Sequence, residues 1–152
     1  MDARTTTLLA LFSEGRTRFT KFLDQLTEGD LLPKKLAPAP NSIGFLVRHI
    51  GDVELLFAKN VFGLQGVNVH ASTVAKGHDT GEWTDLAALK TYVQQSADTL
   101  RRAIEATSAA DWDTVIETKE FGKKTKAEAL GRIVTHTAYH AGQIGIILKY
   151  GA

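Results

Sequence analysis

The chain of 152 residues contains no cysteine. This excludes a disulfide framework, a thiolate metal site and a cysteine nucleophile, and it fits a reducing cytosol. Excess charge of either sign is also missing. The 18 basic and 17 acidic residues leave a formal +1, so no general field draws the chain to nucleic acid or to an anionic membrane. No segment reaches the roughly 18–20 apolar residues that span a bilayer. The opening stretch is broken by Asp2, Arg4, Glu14, Arg16 and Arg18, where a signal peptide has an uninterrupted apolar core. The expectation is one cytoplasmic globular domain spanning residues 1–152, with no nucleic-acid or membrane partner. Lys119, Lys123, Lys124 and Lys126 form the one dense basic run and read as a solvated turn.

What is present is helical periodicity. Leu8, Leu11, Phe12, Phe19, Phe22, Leu23 and Leu26 mark a first helix over about 5–26. Pro33, Pro38 and Pro40 follow in a segment that does not easily continue it. Asn41 and Ser42 supply a cap for a second helix carrying Ile43, Phe45, Leu46, Ile50, Val53, Leu56 and Phe57, with Gly63 as its stop. Residues 64–83 show no sustained period and read as a long connection, either a solvated linker or a lid over a pocket. Thr84 is placed to cap a third helix through Leu86, Leu89, Val93, Leu100 and Ile104. A short extended piece or small hairpin fits 111–124. Thr125 and Glu128 then match a capping box that opens a fourth helix running to about Tyr150. The fold class predicted is all-α, a four-helix bundle with a long connection between helices two and three.

Three histidines fall on inward faces. At about 100° per residue, Phe45, Leu46, Val53 and Leu56 lie within about 60° of His49 on helix two. Ala129, Ile133, His140, Gln143 and Ile147 lie within about 60° of His136 on helix four. A buried polar group without a partner costs roughly 1–3 kcal/mol, so three imidazoles among apolar side chains need something to satisfy them. A divalent metal held by His49, His136 and His140 meets that need, with coordination positions left over, as a catalytic ion requires. Such an ion can lower the pKa of water or hold a small thiol as thiolate. Asp52, three residues after His49, is a candidate to orient an imidazole or act as a base. Gln143 is a candidate to bond a bound water or a ligand's second nitrogen, or else a neighbouring helix.

The stretches Ser42-Ile43-Gly44-Phe45-Leu46-Val47-Arg48-His49-Ile50-Gly51-Asp52 and His136-Thr137-Ala138-Tyr139-His140-Ala141-Gly142-Gln143-Ile144 resemble the two signature segments of the DinB/YfiT-like superfamily of metal-dependent enzymes. The resemblance extends over nearly the whole chain. It implies an up-down-down-up bundle, with nickel or zinc held by one histidine of helix two and a pair on helix four, here His49, His136 and His140. Ala141 stands where many relatives carry arginine. Relatives include thiol-dependent S-transferases and a maleylpyruvate isomerase, so the resemblance implies a hydrolase or a thiol S-transferase acting on a small-molecule substrate, with a small thiol as cosubstrate. It also implies a homodimer. The competing expectation is a stress-associated binding or dimerising module whose metal site is structural, relic or empty.

Overall fold

A computed structural model describes all residues, 1–152. The chain is mostly helical, with one small antiparallel hairpin. Helix α1 (Ala3–Gln25) opens on Asp2, whose carboxylate accepts from the Thr5 amide at 3.0 Å. Helix α2 (Ile43–Leu56) is capped by Ser42 and passes into a π-helical turn, Phe57–Val61, before Gly63 ends it at φ +72°. A one-turn helix, α3 (Ser72–Lys76), interrupts the long connection. Helix α4 (Leu86–Glu105) takes its cap from Asp85, one residue beyond the Thr84 expected, because the Asp85 carboxylate reaches the Ala88 amide at 2.9 Å. Strands β1 (Val115–Thr118) and β2 (Gly122–Thr125) pair with Val115 opposite Thr125 and turn through Gly122. Helix α5 (Lys126–Tyr150) begins with the full capping box of Thr125 and Glu128. No helix is long and apolar enough to cross a membrane.

The four long helices pack chiefly as α1 on α5 and α2 on α4, with α2 also touching α5 and α1 touching α4. One correction applies to the predicted stripes. Leu11, expected inside, is exposed, because Leu9 and Phe12 take the inward positions on α1. The 64–83 connection, expected as a solvated linker or a lid over a pocket, is anchored to α2 and is not a free linker. Asp79 accepts from the Ser42 amide at 2.7 Å, the His70 carbonyl accepts from Arg48 at 3.2 Å, and Trp83 packs edge-on against Phe45.

The apolar interior divides into two clusters. One holds Phe12, Phe57, Leu100, Ile104, Trp112, Leu130 and Ile133; the other holds Phe19, Leu32, Ile43, Leu46, Ile50, Trp83 and Ile144. At about 1.5–3 kcal/mol for each fully buried large aliphatic side chain, these clusters supply most of the drive to fold. Between them lies a polar waist. Arg16 on α1 and Ser96 on α4 sit between the clusters in sequence, as do His136, Thr137 and His140 on α5, and Glu54, just after Val53 on α2, reaches both Arg16 and Ser96. Glu54 is fully buried and accepts from Arg16 Nε at 2.5 Å and from Ser96 Oγ at 2.6 Å, while Arg16 Nη2 also donates to the Val93 carbonyl at 3.0 Å. The waist thus carries an ion pair joining α1, α2 and α4, and the histidines where α2 meets α5.

Candidate metal centre

The α2–α5 contact brings His49, His136 and His140 together, with one ligand-capable atom from each lying within 4.8 Å of the others. All three rings are half-buried. The His136 and His140 centroids are 4.5 Å apart, as one helical turn places them, and His49 lies 5.1 and 4.9 Å from the two. Phe45 stacks on His49 with an interplanar angle of 6°.

The surrounding hydrogen bonds decide which nitrogen of each ring is bare. His49 Nδ1 lies 3.0 Å from Thr73 Oγ1, and Thr73 Oγ1 is 2.8 Å from Asp52 Oδ2. A carboxylate only accepts, so the Thr73 proton goes to Asp52 and the hydroxyl oxygen accepts from His49. His49 is therefore protonated on Nδ1 and presents a bare Nε2. His140 Nδ1 lies 2.6 Å from Gln143 Oε1, an acceptor, which leaves its Nε2 bare as well. His136 differs. Its Nδ1 is buried without a partner, and its Nε2 faces His49 Nε2 at 3.1 Å.

Asp52 is fully buried and touches His49 only through Thr73. Its Oδ1 accepts from Arg48 Nε at 2.8 Å and Tyr92 Oη at 2.5 Å; its Oδ2 accepts from the Thr73 amide at 3.0 Å and the Thr73 hydroxyl. Gly51 makes this possible, since a Cβ there would stand 2.7 Å from the Tyr92 ring. Burial beside Asp52 raises the Tyr92 phenol well above its usual range.

Burial lowers all three imidazoles. His49 is pushed down to about 4, with His140 adding to the effect and Asp52 opposing it. His136 is pushed down to about 3, again by burial first and then by His140 and His49. His140 is lowered by burial against the opposing bond to Gln143. Neutral imidazole at pH 7 is the state a metal ligand needs. With His49 Nε2 bare, the 3.1 Å approach of His136 Nε2 is satisfied by a proton on His136 Nε2 that is donated to His49, or by a cation between the two nitrogens. That spacing also suits two imidazoles each about 2.0–2.1 Å from one ion. The donor set fits a divalent metal.

A family model for the DinB superfamily matches residues 11–144, most of the chain. The chain belongs to the DinB superfamily. Neither a curated protein nor a solved structure gives a significant match. The match encloses all three histidines of this DinB chain, together with Asp52, Thr73 and Gln143.

Thr73 is the residue that sequence reasoning missed. It is buried, it comes from the connection, and it stands between Asp52 and His49. Its only sequence signal is a threonine in the first turn of a one-turn helix. Glu54 was missed too. Helix α2 is apolar nearly all round, which implies burial, and so implies that any charge on it is paired.

Proposed function

We propose that this protein is a divalent-metal-dependent enzyme of the hydrolase or thiol S-transferase type, with zinc or nickel held by His49, His136 and His140. The observation that carries the reading is the convergence of three imidazoles, two of them with Nδ1 engaged and Nε2 bare. Three protein ligands without a fourth match an ion that keeps a position for water or substrate. When bound, the ion supplies Lewis acidity, activating water or a small thiol toward an electrophilic substrate.

The chain's own residues have separable tasks. Gln143 holds the His140 ring through Nδ1 and lines a cavity of about 210 Å³ with Leu36, Pro40, Asn41, Leu46 and Ile146. Leu46 and Gln143 are each three residues from a ligand histidine, so this cavity adjoins the site. Its size and apolar walls suit a small substrate, with the Gln143 and Asn41 amides to orient a polar group. A larger groove of about 560 Å³ is lined by Arg48, Trp83 and Tyr92; neither it nor the smaller cavity has a histidine in its lining, but only the smaller one includes Gln143, which bonds His140. We assign Asp52 to orientation rather than proton transfer, because four donors already occupy its carboxylate. The family resemblance supports an up-down-down-up order of the long helices. Exposed Tyr139, Ile146 and Tyr150 on one side of α5 support a homodimer.

The test is a turnover screen of zinc- and nickel-loaded protein, with activated esters for hydrolysis and with small thiols paired with electrophiles for transfer. Metal-dependent turnover that disappears in His140→Ala supports the enzyme. Stoichiometric metal with no turnover in either panel contradicts it and favours a binding module.

A further inference from the structure

Residues 64–85 lie over α2 with most of their anchors close to His49. Thr73 reaches His49 Nδ1 at 3.0 Å, and Arg48, the neighbour of His49, holds the His70 carbonyl. Trp83 lies against Phe45, which stacks on His49. The segment therefore grips one ring at its nitrogen and, through Phe45, at its face.

We propose that Thr73 is a positioning residue that fixes His49 in its Nδ1-protonated form, so that metal binding and the docking of the 64–85 strap are thermodynamically linked. This rests on the three-histidine metal reading given above. Asp52 has four donors and no proton to give, so it takes the Thr73 hydroxyl proton; the hydroxyl oxygen then has only lone pairs to offer His49. Removing Thr73 from the site frees His49 to carry its proton on Nε2, where it would block a metal. Docking of α3 therefore favours the metal-competent tautomer. By reciprocity, metal that binds this tautomer favours docking by the same factor. The three histidines are not equivalent in this respect. His140 is oriented from its own helix by Gln143, and His136 Nδ1 has no partner, so His49 alone is oriented from a separate segment.

The experiment uses the full chain as wild type, Thr73→Val and Thr73→Ser. Serine keeps the hydroxyl; valine keeps the shape. Long-range ¹H–¹⁵N spectra of the metal-free proteins read the His49 tautomer. The Nδ1–H form is expected in wild type and Thr73→Ser and is lost in Thr73→Val. Titration with Zn²⁺ alone is expected to give an affinity about 10–100-fold weaker in Thr73→Val and close to wild type in Thr73→Ser. Hydrogen exchange over 70–76 is expected to slow on Zn²⁺ saturation in wild type and to respond less in Thr73→Val. A wild-type His49 protonated on Nε2, a Thr73→Val protein with unchanged tautomer and affinity, or zinc saturation without added protection over 70–76 overturns the proposal. If the tautomers behave as expected but no variant takes up Zn²⁺, positioning by Thr73 stands while its linkage to metal and the metal-site reading fall together.

Discussion

His49 Nε2 and His136 Nε2 approach to 3.1 Å across the α2–α5 contact. Two helices thus bring together ring nitrogens that burial keeps neutral. Replacing His136 with alanine removes its contact with His49 Nε2 and, in the opposite sense, a buried Nδ1 that lacks a partner. With these effects opposed, His136→Ala is expected to unfold, when metal-free, at a temperature close to that of metal-free wild type, yet to gain far less thermal stability from added Zn²⁺. Calorimetry with and without Zn²⁺ measures both.

The pH dependence has a definite sign. The folded pKa values of His49 and His136, about 4 and 3, lie below the ordinary 6.5, so the unfolded chain takes up protons first as the pH falls. Their contribution to the stability of the metal-free protein is complete above about pH 6.5 and is lost as the pH drops through about 4 and 3. Metal affinity follows the same window. Between about pH 7 and 5 it is expected to fall less than for a site of unperturbed imidazoles, since all three rings are lowered, and to fall steeply as His49 and His136 protonate. Competition titrations with a metal indicator at stepped pH check this.

Gln143→Ala leaves His140 Nδ1 without its acceptor at 2.6 Å. Loss of such an orienting contact is expected to weaken Zn²⁺ binding by about 10–100-fold with little change in the fold. Isothermal titration together with far-UV circular dichroism separates the two effects.

Glu54 provides a control away from the histidines. Glu54→Ala strands Arg16 against the core and is expected to cost about 3–5 kcal/mol, as for other broken buried ion pairs. A double replacement of Arg16 and Glu54 by methionine is expected to recover most of that loss. Urea unfolding of the single and double variants measures both.

Gly51→Ala places a methyl 2.7 Å from the Tyr92 ring. Overpacking of this kind is expected to cost about 1–3 kcal/mol and to draw the Tyr92 hydroxyl away from Asp52. Thermal unfolding reports the first effect, and a fall in the Tyr92 titration midpoint toward the ordinary tyrosine range reports the second.

Much of the architecture was legible because it is local. The Thr125–Glu128 capping box and the 3.6-residue stripe fixed the start and inward face of α5, and thereby the phase of His136 and His140. The same angular arithmetic turned His49 inward on α2. What stayed illegible depends on contacts distant in sequence. Residues 64–85 lack apolar period because single polar anchors, Thr73 and Asp79 among them, hold the segment to α2. The full burial of Asp52 was not legible because two of its partners, Thr73 and Tyr92, lie 21 and 40 residues away. Glu54 was invisible for the same reason, its partners lying on α1 and α4.

Metal analysis tests the central claim most directly. Protein purified without a metal-affinity tag and measured by inductively coupled plasma mass spectrometry is expected to carry about one divalent ion per chain, the occupancy one three-histidine site provides. That metal is expected to be lost in the His49→Ala, His136→Ala and His140→Ala variants alike. Protein that is metal-free as isolated, and whose thermal stability is unmoved by added Zn²⁺ or Ni²⁺, would contradict the account.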